Sequence, residues 1–174
     1  HDREIETLND STPWGYLTFY AEGQQPRFEL QLDYWVGLAN KLPDNHTKAF
    51  FELAQIAYDN ASFSGWSNIH QRTWDYGGCS PLGTDLHLNI LTKIDAIRAD
   101  PMFASRVETV LSRVRELAMT DLMSGTAEFP YCNRTDPEQQ KKMVKEVGAI
   151  LATSALSEAE RNALQARVDG NMGL

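Results

Sequence analysis

Along most of the chain the apolar residues recur every three or four positions, the period of a helix with one face in a core, and no stretch alternates every two residues as a half-buried strand would. Phe28, Leu32, Trp35, Val36 and Ala39 set this period before Pro43 stops it. Phe50, Leu53, Ala54 and Ala57 set it again, with Asp44 or Asn45 available as N-cap. Leu86, Ile90, Leu91, Ile94 and Ile97 mark a helix from about Thr84 to Ala99. Asp100-Pro101 then opens the longest helix, whose stripe of Phe103, Val107, Val110, Val114, Leu117 and Leu122 runs to about Ser124. Asp136-Pro137 repeats that start signal for a helix carrying Met143, Val144, Val147, Ile150 and Leu151. Ser157-Glu158-Ala159-Glu160 has the form of a capping box for a last helix that reaches about Val168. Ahead of all these, Thr12-Pro13 can start a helix and Gly23 can end it, although the aromatic-rich WGYLTFYAE between them also suits a strand.

The pattern predicts an all-α fold: a compact bundle or array of six to seven helices in a single domain over residues 1–174, with 1–11 as a possible tail. One segment breaks the period. Residues 61–83, ASFSGWSNIHQRTWDYGGCSPLG, place Phe63, Trp66, Trp74 and Tyr76 among Gly, Ser and Asn, and a loop of that length in a compact domain is usually functional or itself packed.

Composition narrows the partners. A formal charge of −8, with no Lys/Arg run denser than Lys141, Lys142 and Lys145, disfavours nucleic acid and anionic lipid. No apolar run is long enough to span a membrane, and no charged n-region leads into an apolar stretch at the start, so the sequence is expected to be that of a mature chain.

Cys79 and Cys132 both lie in polar loops outside any Cys-x-x-Cys pattern, and a disulfide between them is the simplest pairing. On the chain-entropy view it would stabilise the fold by roughly 4 kcal/mol. Four Asn-x-Ser/Thr triplets, at Asn9, Asn45, Asn60 and Asn133, fall at expected helix ends or loops, where a glycan acceptor must lie to be reached. Together these features point to a secreted or periplasmic glycoprotein in an oxidising compartment.

Two clusters carry possible chemistry. In the aromatic loop, Trp66, His70, Arg72, Trp74, Asp75 and Tyr76 combine stacking rings with an acid, a base and a cation, as a sugar or planar ligand requires; the competing reading has the tryptophans anchoring the loop in the core. At the N-terminus, the amine and imidazole of His1 could chelate copper with a second imidazole from His46, His70 or His87. That arrangement resembles the histidine brace of secreted lytic polysaccharide monooxygenases, which are β-sandwiches, whereas this chain reads as helical. Cys79 as a nucleophile, with His70 or His87 as base, competes directly with the disulfide. HExxH, GxSxG, P-loop, Gly-rich dinucleotide and EF-hand patterns are absent. The expectation is therefore a binding protein that presents loop 61–83 to a protein or small-molecule partner. The alternatives are a copper-binding protein or enzyme built on His1, and a structural subunit of an extracellular assembly.

Overall fold

The computed structural model describes residues 16–19, 27–57, 82–124 and 135–170. The order is β1 (Tyr16–Phe19), β2 (Arg27–Leu30), α1 (Leu32–Ala39), α2 (Asn45–Ala57), α3 (Leu86–Arg98), α4 (Pro101–Ser124), α5 (Pro137–Thr153) and α6 (Glu158–Asp169). The fold is all-α, with one short antiparallel hairpin in which Tyr16 pairs with Leu30 and Phe19 with Arg27. The hairpin corrects two expectations. The 12–23 stretch contains a strand, following its aromatic and β-branched content and not the Thr-Pro start signal. The helix expected to begin near Phe28 begins instead at Leu32, because Arg27–Leu30 is committed to the ladder with β1.

Proline and aspartate signals fixed the later helices as read. Asp100 Oδ1 accepts the backbone N–H groups of Met102 and Phe103 at the start of α4, and Asp136 Oδ1 accepts that of Glu138 at the start of α5. At the start of α2 the cap is Asp44, which accepts the backbone N–H groups of His46 and Thr47 and the Thr47 hydroxyl. Ser157 and Glu160 form the reciprocal capping box of α6.

One core joins α2 to α6. Leu53, Ile90, Ile94, Ile97, Leu111, Val114, Leu122, Met143, Val147, Ile150 and Leu164 are all fully enclosed in it. Trp35 of α1 stacks on Phe51 at 5.6 Å and Phe50 meets Phe103 edge-on at 6.2 Å, so the aromatic side chains of α2 extend this core to α1 and α4. Substituting any of the enclosed Leu, Ile or Met residues by Ala would cost about 2–5 kcal/mol.

Candidate functional site

Three ionisable side chains sit inside that core with no exposure to solvent: His87 of α3, Asp121 of α4 and Glu146 of α5. His87 Nε2 is 2.6 Å from Asp121 Oδ2, a short charge-assisted hydrogen bond. Its Nδ1 faces Glu146 Oε1 at 3.5 Å, an ion-pair contact too long for a strong hydrogen bond.

Glu146 does more than face the histidine. Its Oε2 accepts the backbone N–H groups of Gly83 at 2.6 Å and Asp85 at 3.1 Å. Its Oε1 accepts those of His87 at 2.9 Å and Leu88 at 3.2 Å. The carboxylate thereby satisfies donors that a helix start leaves without partners, and its charge lies where the helix dipole favours an anion. A local cap is missing because Asp85, the residue before α3, has a left-handed backbone (φ 62°) and makes no side-chain cap hydrogen bond.

Gly83 also has a positive φ (96°), so two residues of unusual hand within three positions aim alternate amides, those of Gly83 and Asp85, at one carboxylate. A Cβ on Gly83 would sit 2.5 Å from Gln139 Nε2 and 3.2 Å from the Met143 backbone N, so both the backbone angle and the approach to α5 require glycine. Gln139 Nε2 in turn donates to the carbonyl of Leu82, a residue buried in the core. The chain is thus bolted to α5 from Leu82 to Leu88.

The electrostatics are mutually consistent. Burial alone would push the His87 pKa down, but the hydrogen bonds and charges of Asp121 and Glu146 outweigh it and hold the pKa above the usual 6.5. Burial would raise Glu146; the His87 hydrogen bond and charge, with the Gly83 and Leu88 amides, win and hold it below the usual 4.5. Both shifts favour the charged form of their group.

No family model, no curated protein and no solved structure matches this chain. Function is therefore argued from geometry alone.

An open groove of about 370 Å³ lies elsewhere, bordered by Arg98, Arg115 and Glu160. Both of its arginines are engaged. Arg98 pairs with Glu108 and donates to Ser112, while Arg115 donates to both Glu160 oxygens at 2.7 and 2.9 Å and to the Ala155 carbonyl. The Arg115 partnership, against a modest opposing effect of burial, brings the Glu160 pKa down to about 2. Arg98 thereby staples α3 to α4 and Arg115 staples α4 to α6, and both guanidinium charges are neutralised.

The residues singled out from sequence divide unevenly. His1, Trp66, His70, Arg72, Trp74, Asp75, Tyr76, Cys79, Cys132, Asn9, Asn60 and Asn133 lie outside the described residues. Asn45 is exposed at the first position of α2, as a glycan acceptor requires. His46 donates from Nδ1 to the Ala96 carbonyl at 3.0 Å and its Nε2 lies 3.9 Å from Asp100, whereas His87 is enclosed against Asp121 and presents no open imidazole face. Among the described residues no group of three His, Cys, Asp or Glu is arranged to hold a metal ion.

Sequence reading missed Asp121 and Glu146 and left His87 off the buried face of α3. A signal was present. His87 stands seven residues before Ile94, Asp121 seven after Val114, and Glu146 three after Met143 and four before Ile150, so each occupies a core-facing position of its helix. Listing only apolar residues along each stripe hid them.

Proposed function

We propose that the protein is a secreted or periplasmic binding protein that presents residues 61–83 to a protein or small-molecule partner from a rigid helical body. The observation that carries this reading is the anchorage of Leu82 to Leu88 on Glu146 and Gln139, at the C-terminal end of the aromatic-rich stretch. A binding loop gains affinity when its root is fixed before the partner arrives. The Cys79–Cys132 disulfide and glycosylation at Asn9, Asn45, Asn60 and Asn133 belong to the same reading, with exposed Asn45 supporting it. The buried triad supports a scaffold over a catalyst, because a substrate cannot reach groups with no exposed surface.

Tryptophan fluorescence of the full chain, titrated against soluble oligosaccharides and planar aromatic compounds, is expected to show a saturable change. Trp66→Ala and Trp74→Ala should abolish that change and leave Tm almost unaltered. If either substitution lowers Tm as far as Ile94→Ala does, the tryptophans are core anchors and the reading fails.

A subunit of a larger assembly is a second reading, favoured by Tyr34, Leu38 and Leu42, which follow one another at four-residue intervals and are 39%, 41% and 48% exposed. Sedimentation of the native chain and of Leu38→Glu tests it: a concentration-dependent mass that the substitution removes supports assembly, and a monomer throughout rejects it.

A further inference from the structure

The geometry around His87 assigns its two ring protons different tasks. Nε2 is held at 2.6 Å by Asp121, whereas Nδ1 only faces Glu146 across 3.5 Å. The shorter bond retains its proton, so the first to leave a charged His87 is the one on Nδ1. Its departure puts a nitrogen lone pair against the Glu146 carboxylate and takes the imidazolium from beside that buried charge, an arrangement that burial penalises.

We infer that the Nδ1 proton of His87 is the lock on the Glu146 cap, so that the start of α3, from Gly83 to Leu88, is closed while His87 is charged and opens locally once that proton is lost. The site that opens is the set of four amides on Glu146, because Asp121 keeps its own bond to the imidazole. The raised pKa of His87 agrees with a lock that holds to higher pH than an ordinary imidazole would.

The charged neighbours on every packed element fit this assignment. Helix α2 engages α3 away from the site, through Glu52 with Lys93 and His46 with the Ala96 carbonyl. Helix α4 contributes Asp121 and α5 contributes Glu146. From α6, Arg167 donates to the Leu122 carbonyl, one residue from Asp121. Asp85 meets Glu146 through its backbone N–H and is itself exposed. Among the described residues, then, no second cation stands on the Glu146 side to replace the lost proton.

This inference needs no ligand and stands apart from the binding reading. The test is native-state amide exchange of the full chain between pH 6 and 10, corrected for intrinsic rates, alongside NMR titration of the His87 ring. Protection at Gly83, Asp85, His87 and Leu88 should fall by up to tenfold per pH unit, the slope of a single linked proton, between about pH 6.5 and the His87 midpoint and level off above it, while Ile94 and Val147 keep theirs. Glu146→Gln, which removes the buried charge but keeps an acceptor, should flatten that dependence; His87→Gln should flatten it too if it folds. Protection that stays constant while His87 titrates overturns the assignment, as does a His87 that is already neutral at pH 6 or that keeps its proton on Nδ1 when neutral.

Discussion

Helix α6 is capped from within its own first turn, whereas α3 is capped by a carboxylate that arrives from α5. At α6, Ser157 and Glu160 exchange hydrogen bonds three residues apart, near the surface, with Arg115 as the glutamate's cation. At α3, Glu146 takes four amides 58 to 63 residues away in sequence, with His87 as its cation and no solvent nearby. Each site joins a helix start, a glutamate and a positive group. The difference lies in what remains when one part is removed: at α6 water takes its place, and at α3 nothing does.

Removing the two glutamates is the most direct way to break the comparison. Glu146→Ala leaves amides unpaired and a buried imidazolium short of one carboxylate, and should destabilise by about 3–5 kcal/mol. That is a large fraction of a typical total of about 5–15. Urea titration followed by circular dichroism measures it; a loss below about 1 kcal/mol would mean that water reaches the site.

Acidity separates the sites next. Glu146 is lowered from 4.5, so its contribution is present above that value and lost as pH falls through its folded pKa. His87 is raised from 6.5, so its contribution is complete below that value and lost as pH rises through its folded pKa. The triad should therefore stabilise fully between about pH 4.5 and 6.5 and fade on both sides. Glu160, at about 2, adds only acid-side dependence, worth about 1 kcal/mol or less at its exposure. Thermal unfolding across pH 3–10 with Glu146→Gln and Glu160→Gln tells the two apart, because only the first should flatten the alkaline limb.

Gly83→Ala attacks the backbone that aims the amides. A forced left-handed alanine and a crowded Gln139 should cost about 1–2 kcal/mol. The smallest effect belongs to the local cap: Ser157→Ala should cost about 1 kcal/mol, with no change in the His87 titration.

What was legible in the sequence follows the same division. The capping box of α6, the Asp-Pro starts of α4 and α5, and the apolar faces of α2 to α5 are short-range patterns, and the structure bears them out except at Val144, which is exposed. The hairpin was not legible as such, because Phe28 and its neighbours fit a helical period while they pair with a strand eight to fourteen residues earlier. The triad was hidden for a related reason. Asp121 and Glu146 look like solvated residues unless the helices that pack across them are known, and nothing near Asp85 announces that its helix borrows a cap.

The borrowed cap also separates α3 from α6 in time. A turn closed by residues three apart can form while the rest of the chain is still open. The Glu146 cap must wait until α5 has docked, after the entropy of a loop of roughly 60 residues has been overcome. Interactions of that kind belong to the late side of the folding barrier. Weakening Glu146 should then leave the refolding rate nearly unchanged and speed unfolding, so that this carboxylate governs how long the folded protein lasts more than how quickly it is made.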